Sequence, residues 1–146
     1  MRKIYFAGSI RGGRGDVDAY RAIITDLQKY GQVLTEHIGD KEISALGENI
    51  TARAIHDRDL GWLLSSDVVV ADVSTPSLGV GWEIGRAVER GKPVLCLFRS
   101  DEGKRLSAMI SGCPDHTVAE YSTTEEATAH IGTFFQKLDG AQKSPI

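Results

Sequence analysis

Residues 68–83 read Val-Val-Val-Ala-Asp-Val-Ser-Thr-Pro-Ser-Leu-Gly-Val-Gly-Trp-Glu, and they carry the clearest indication of the fold class. The largely apolar run from Val68 to Val73 is typical of a strand buried on both faces of a parallel sheet. A Gly-rich turn follows at Ser74, and helical spacing then continues to about Arg90. In open α/β sheets such a junction binds anions, because the amides of the first helical turn lack intrahelical partners. The stretch therefore predicts an α/β fold with a phosphate site at this turn.

Strands and helices alternate along the rest of the chain. Strands are expected over residues 3–7, 32–35, 67–73, 94–98 and 117–120, and helices over residues 17–30, 52–64, 80–89, 106–110 and 123–138. Helical crossovers between strands predict a doubly wound five-stranded parallel sheet of order 2-1-3-4-5, with helices on both faces. In that order the first and third strands are neighbours. The loops Gly8–Gly13 and Ser74–Gly81 are then expected to meet at one crevice.

Length and composition suit one globular domain. The 146 residues are expected to form a single domain over 1–138, followed by a disordered tail over 139–146. The net charge of −3, without a basic block, excludes a surface that coats a nucleic-acid polymer. No apolar run approaches the ~20 residues of a membrane span, and we expect no signal peptide. Cys96 and Cys113 favour a reducing compartment, either the cytoplasm or, in a eukaryote, the nucleus.

Glu83 is the residue that a phosphate site alone does not explain. A carboxylate in the first turn of a helix is an ordinary stabilising choice. Beside a bound phosphate, however, it would be repelled unless it faced another part of the ligand. Glu83 is therefore either a helix-stabilising residue or a catalytic carboxylate next to the phosphate site.

Asp59 offers a second carboxylate. It is four residues from Ile55 and from Leu63, so it shares a helix face with core-facing residues. Two carboxylates with separated pKa values are what glycosidic cleavage requires, one as nucleophile and one as proton donor. The alternative is a surface aspartate paired with Arg58 or with another arginine of the same helix. Asp57 and Arg58 are expected to point to solvent.

Several other polar residues near the crevice allow more than one interpretation. Tyr5 is either a core aromatic or a hydrogen-bond donor to a catalytic carboxylate. Ser9 and Arg11 lie in a flexible turn that can approach a small anion, although Arg11 fits a solvated loop equally well. That turn lacks the Lys-Ser/Thr pair of a Walker A loop, which argues against an NTPase. His37 can stack on a base and has no second metal ligand at suitable spacing. A helix N-cap explains Ser107.

Six segments of the chain form a recognisable set. They are Tyr5-Phe-x-Gly-Ser-Ile-Arg-Gly-Gly13, Val33-Leu-Thr-Glu-His37, Ile55-His-x-x-Asp-Leu-x-Trp62, Ala71-Asp-Val-x-x-Pro-Ser-Leu-Gly-Val-Gly-Trp-Glu-Ile-Gly-Arg-Ala-Val88, Leu95-Cys-Leu-Phe-Arg99 and Leu106-Ser-Ala-Met-Ile110. In this order they resemble the 2′-deoxynucleoside 5′-monophosphate N-glycosidases of the nucleoside 2-deoxyribosyltransferase superfamily. The resemblance implies a homodimer that cleaves the bond between base and deoxyribose of a nucleoside 5′-monophosphate, with no metal and no organic cofactor.

The same resemblance implies roles for individual residues. Glu83 matches the carboxylate that attacks the anomeric carbon, Asp59 its partner that binds the sugar and handles protons, and Tyr5 the tyrosine that orients the nucleophile. Nine further residues match substrate-binding positions. At the phosphate these are Ser9, Arg11, Gly12, Ser77 and Gly79, beside the base they are Ile10 and His37, and from the neighbouring subunit they are Ser107 and Met109.

Three other functions stay open at this point. The sugar could be passed to a second base, as in a deoxyribosyltransferase, although phosphate-binding side chains argue against nucleoside substrates. A hydrolase could instead accept ribonucleotides such as CMP, because the packing around the 2′ position cannot be read from the sequence. The fold could also serve a non-catalytic nucleotide-binding module, which only the set of Tyr5, Asp59 and Glu83 opposes.

Overall fold

The computed structural model describes residues 1–10, 16–39, 49–101 and 103–143. Its strands are β1 (Lys3–Ala7), β2 (Gln32–Val33), β3 (Val68–Asp72), β4 (Val94–Arg99) and β5 (Thr117–Tyr121). Its helices are α1 (Val17–Leu27), α2 (Ala52–Ser65), α3 (Leu78–Glu89), α4 (Ala108–Ser111) and α5 (Thr124–Lys143), with a 3₁₀ turn over Glu36–Gly39.

The five strands form one parallel sheet in the order β2-β1-β3-β4-β5, which confirms the predicted topology. Tyr5 of β1 pairs with Val69 of β3, and Ala71 of β3 pairs with Cys96 of β4. Because β1 and β3 are adjacent and parallel, their carboxyl ends meet at the same edge of the sheet. Ligands of doubly wound sheets bind at that edge.

Two apolar layers cover the two faces of the sheet. Phe6 belongs to the layer that includes Tyr20 of α1 and Phe135 of α5. Tyr5, its neighbour in β1, belongs to the opposite layer, which includes Ile84 of α3. This alternation follows from the two-residue period of a strand. It turns the Tyr5 side chain toward α2 and α3.

Helix α3 begins earlier than the sequence predicts. It begins at Leu78, two residues before Val80, and the Ser77 hydroxyl caps it by accepting a hydrogen bond of 3.2 Å from the Val80 amide. Glu83 therefore lies in the second helical turn, and the first turn holds no acidic residue. The interpretation of Glu83 as a first-turn stabilising carboxylate is wrong, because helix-terminal electrostatics fall off within that turn.

Other elements also differ from their expected bounds: α1 ends at Leu27, three residues early, and α4 covers Ala108–Ser111. The larger differences concern β2 and α5. The second strand ends at Val33 because the Thr35 hydroxyl takes over the pairing, accepting from the Phe6 amide at 2.8 Å and donating to the Phe6 carbonyl at 2.6 Å. Helix α5 continues to Lys143, so residues 139–143 are helical where a disordered tail was expected. Asp139 anchors this extension through an ion pair of 2.8 Å with Arg2. None of the helices in the described ranges combines the length and apolar character that a bilayer span requires.

Candidate active site

A partly buried hydrogen bond joins β1 to α3. Tyr5 is 1% exposed, and its hydroxyl donates to Oε2 of Glu83. The tyrosine comes from a strand interior and the carboxylate from the second turn of α3, so both rest on rigid elements. Tyr5 is thus a core aromatic, and its hydroxyl also donates to Glu83; the catalytic role of that carboxylate stays a prediction.

The surroundings of Glu83 change its protonation. Its pKa is raised to about 7, chiefly because burial disfavours the charged form; the hydrogen bond from Tyr5 lowers the pKa, and the negative charge of Asp59 raises it. Burial, together with the negative charge of Glu83, holds the pKa of Tyr5 well above its usual range. Tyr5 is therefore a hydrogen-bond donor throughout the neutral range. A desolvated carboxyl with a raised pKa is typical of a functional site.

The negative charge of Asp59 on α2 raises the pKa of both Tyr5 and Glu83. Asp59 therefore lies within electrostatic range of both side chains. The two predicted carboxylates are thus brought together. The alternative contact is also present, since Arg58 Nε donates to Oδ1 of Asp59 at 2.9 Å. Asp59 therefore pairs with an arginine and also lies in the candidate site. Asp57 is exposed as expected and pairs with Arg53 at 2.8 Å.

The expectation that Arg58 points to solvent is wrong. Its guanidinium carbon lies 4.9 Å from the centre of the Trp62 ring, and its Nη2 is 3.3 Å from Nε2 of His37. The His37 ring lies 5.6 Å from the Trp62 ring. Sequence reasoning missed Arg58 and Trp62 as site residues. Their spacing of four residues on α2 was the available signal, because such pairs meet on a helix surface.

The start of α3 lies close to the carboxylate. A Cβ atom placed on Gly79 would lie 3.8 Å from Ser77 Oγ and 4.0 Å from Glu83 Oε1. The first intrahelical hydrogen bond runs from the Gly81 amide to the Ser77 carbonyl at 3.1 Å, so the amides of Leu78 and Gly79 precede it. Ser77 Oγ accepts a hydrogen bond as a cap, and its own proton can still be donated to an anion.

Only the first part of the loop that follows β1 is described. Ser9 is buried, and its amide donates to the Tyr20 hydroxyl at 3.1 Å. Ile10 packs against the layer of α1 and α5. Arg11 and Gly12 lie outside the described residues. In the part of the chain that the structure describes, no group of three or more His, Cys, Asp or Glu side chains is arranged to hold a metal ion.

A buried polar network holds the turn between β3 and α3. The Asp72 carboxylate accepts a hydrogen bond of 2.9 Å from the Ser74 amide, and Ser74 Oγ accepts one of 2.8 Å from the Arg99 amide. Asp16 accepts from the Thr75 hydroxyl and from the Arg99 guanidinium. Buried charges require such partners. The network fixes the turn that leads into α3, and sequence reasoning did not identify it.

Ser107 and Met109 lie across a groove from the start of α3. Ser107 caps α4 by accepting from the Met109 amide at 3.2 Å, as the N-cap interpretation predicts. Both residues line a groove of about 790 Å³ that also contacts the first turns of α3. Tyr5, Asp59 and Glu83 are not among its lining residues. Two apolar side chains stand out here, with Leu78 97% and Met109 81% exposed.

Comparison with known proteins indicates the family. The sequence profile of the nucleoside 2-deoxyribosyltransferase family matches residues 4–130. A Nematostella vectensis protein, provisionally named 2′-deoxynucleoside 5′-phosphate N-hydrolase 1, is 62% identical over 142 residues, covering 94% of this chain and 96% of that protein. A protein named 5-hydroxymethyl-dUMP N-hydrolase is 58% identical in Tetraodon nigroviridis, covering 75% of this chain and 79% of its own length. Its namesake in Mus musculus is 52% identical, covering 86% and 75%.

Two solved structures share the fold. A CMP N-glycosidase from Clostridium botulinum superposes with a TM-score of 0.67 at 17% identity, covering 91% of this chain and 99% of that chain. A molybdenum cofactor carrier protein from Chlamydomonas reinhardtii superposes with a TM-score of 0.56 at 16% identity, covering 92% and 98%. At these identities the likeness establishes the fold alone. Function has to be argued from the site.

Proposed function

Because this chain belongs to the nucleoside 2-deoxyribosyltransferase family, we propose that it hydrolyses the N-glycosidic bond of 2′-deoxynucleoside 5′-monophosphates with Glu83 as the nucleophile. Relatives at 62% and 58% identity carry the names of N-hydrolases of such nucleotides. Within this chain, the proposal depends on one observation above all. The hydrogen bond from Tyr5 to Glu83 holds a largely desolvated carboxylate next to the amide-rich start of α3.

The chemistry proceeds in two displacements. The ionised carboxylate of Glu83 attacks C1′, and the bond to the base breaks with its electron pair moving to the base nitrogen. The transition state resembles an oxocarbenium ion, which a negative charge against C1′ stabilises. The departing base takes a proton or a hydrogen bond from Asp59 or from a water molecule. Water then cleaves the glycosyl ester, releasing 2-deoxyribose 5-phosphate and regenerating Glu83.

The phosphate supplies binding energy away from the reacting bond. In the proposal, Ser77 and Gly79 receive it at the start of α3, and Ser9, Arg11 and Gly12 receive it from the β1 loop. Anions are favoured at helix N-termini by unpaired amides and by the helix dipole. The short distance between Gly79 and Glu83 lets one nucleotide span both features. Ile10 and His37 are assigned to the base.

We further propose a homodimer in which Ser107 and Met109 complete the site of the neighbouring subunit. Leu78 and Met109 are large apolar side chains that are almost fully exposed beside a groove, as expected of an association surface. The unpaired cysteines Cys96 and Cys113 favour a reducing location such as the cytoplasm or the nucleus.

Subunit mixing tests the shared site. A Glu83→Gln chain and a Ser107→Ala chain are each expected to have low activity alone. When the two are refolded together, a hybrid dimer contains one site with an intact Glu83 and an intact Ser107 from its partner. Recovery of activity on mixing supports the shared site. An unchanged low activity, with a mixed dimer demonstrated by mass, contradicts it.

A substrate panel tests the activity itself. Deoxyribonucleoside monophosphates, the matching ribonucleotides and the matching nucleosides are assayed for base release, with and without a second free base. Release from deoxynucleotides, with 2-deoxyribose 5-phosphate as the sugar product, is expected. Exchange onto the second base identifies a transferase, release from CMP identifies a ribonucleotide N-glycosidase, and no release from any substrate indicates a binding module.

A further inference from the structure

Arg58 contacts three side chains that belong to different parts of the candidate site. Its Nε donates to Oδ1 of Asp59 at 2.9 Å, and its Nη2 lies 3.3 Å from Nε2 of His37. Its guanidinium also lies over the Trp62 ring, with the guanidinium carbon 4.9 Å from the ring centre. A guanidinium is a planar fork whose donors point in fixed directions. Stacking on Trp62 orients the guanidinium plane. That orientation determines where Asp59 and His37 can accept its hydrogen bonds.

The contact with His37 defines the state of that ring. Arginine carries only donors, so Nε2 of His37 must accept the hydrogen bond. A neutral imidazole that accepts at Nε2 carries its proton at Nδ1. His37 therefore presents a fixed N–H donor at its other nitrogen.

Arg58 also belongs electrostatically to the reacting end of the site. Its positive charge lowers the pKa of Tyr5, whereas the charges of Glu83 and Asp59 raise it. The Arg58 side chain is 28% exposed and the Asp59 side chain 23%. Their ion pair is therefore partly shielded from solvent, where such a pair holds its geometry better than at an open surface.

We propose that Arg58 is a positioning residue that joins Asp59, at the sugar, to His37, at the base, as one hydrogen-bonded unit. This inference rests on the proposed function and adds to it the residue that couples the two ends of the nucleotide. A base seated correctly against His37 holds the fork in place, and the fork holds the Asp59 carboxylate for departure of that base. Arg58 itself contacts no reacting atom.

A double-mutant cycle tests this coupling on a deoxynucleoside monophosphate that the wild-type enzyme cleaves. Arg58→Ala should lower kcat/KM by about 10²-fold, the loss that ~1 Å of misplacement causes. The loss should fall on kcat, with KM changed less than about threefold, because the phosphate side is untouched. The double variant Arg58→Ala/His37→Ala should lie within a few-fold of Arg58→Ala, since residues that act as one unit are not additive.

Two variants separate positioning from charge and from helix stability. Arg58→Lys keeps the positive charge and loses the fork, so its kcat should resemble that of Arg58→Ala. Arg53→Ala removes an arginine of the same helix, whose side chain is 87% exposed and bonded to Asp57. It should leave kcat and KM unchanged. Thermal unfolding of all variants verifies that they fold.

Several results would overturn the inference while leaving the proposed function intact. These are an Arg58→Lys enzyme with wild-type kcat, losses that multiply in the double variant, or an Arg58→Ala enzyme no slower than Arg53→Ala. Failure of the wild-type protein to release a base from any deoxynucleoside monophosphate would instead overturn the proposed function. The two kinds of failure are therefore distinguishable in one set of assays.

Discussion

Replacing Glu83 by glutamine should stabilise the fold while it abolishes activity. The carboxyl has a pKa of about 7 in the folded protein against an ordinary value of 4.5, chiefly because it is buried. Between these values the folded protein keeps a proton that the unfolded chain has released. The contribution of Glu83 to the free energy of unfolding therefore falls as pH rises through this window and levels off above pH 7. Glutamine is neutral at every pH and can still accept the hydrogen bond from Tyr5.

The size of the effect follows from the shift. Each pKa unit corresponds to about 1.4 kcal/mol, so the charged carboxylate costs about 3 kcal/mol above pH 7. The stability of Glu83→Gln relative to wild type should therefore grow by about 3 kcal/mol from pH 4.5 to pH 8. Turnover should fall by roughly 10³-fold or more, as for loss of a nucleophile. An active-site residue that supports turnover can lower the stability of the fold, so its replacement changes stability and turnover in opposite directions.

Urea unfolding at several pH values between 4.5 and 8 measures this difference. Glu89→Gln is the matched control, because Glu89 is an exposed carboxylate on the same helix. Its stability relative to wild type should not change over the window. A Glu83→Gln difference that is constant with pH, or a variant less stable than wild type at pH 8, would refute the account of this carboxylate.

Two other changes have defined outcomes. Tyr5→Phe removes the hydrogen bond that lowers the pKa of Glu83, so the acidic limb of kcat/KM against pH should move above its wild-type position near pH 7. A limb at or below the wild-type position would contradict this. Gly79→Ala should stabilise α3 by up to ~1 kcal/mol and reduce kcat/KM at least about tenfold, because its methyl group would lie 3.8 Å from Ser77 Oγ and 4.0 Å from Glu83 Oε1. Gly85→Ala is the control, because Gly85 lies on the same helix with open space around it. It should stabilise the helix to a similar extent and keep full activity. Equal activities of the two variants would disprove the placement of substrate beside Gly79.

The sheet order was predictable because strands and helices have local sequence signals, and the handedness of the crossovers restricts how the strands can be ordered. Apolar strands that alternate with helical patterns leave few topologies when each crossover is right-handed. The start of α3 was harder to place, because Gly79 and Gly81 weaken the helical pattern. The signal that places it is Ser77, whose side chain caps the helix. That shift of two residues moves Glu83 out of the first turn.

The contacts that organise the site were not predictable because they join distant parts of the chain. Arg58 and His37 are 21 residues apart, and Arg99 and Asp16 are 83 residues apart. A single sequence gives the helix face of Arg58 only approximately, and long polar side chains turn back over apolar surface. The tertiary structure therefore determines whether such an arginine side chain is solvated or bound to a carboxylate.

Locating the sugar on the protein tests whether Glu83 is the nucleophile. A 2′-fluorinated nucleoside 5′-monophosphate slows both displacements, because fluorine destabilises the oxocarbenium-like transition state. After acid quenching and proteolysis, mass spectrometry of the peptides should find the sugar phosphate esterified to Glu83. Release of base with the Glu83 peptide unmodified and the adduct on another carboxylate, such as Asp59, would contradict the mechanism.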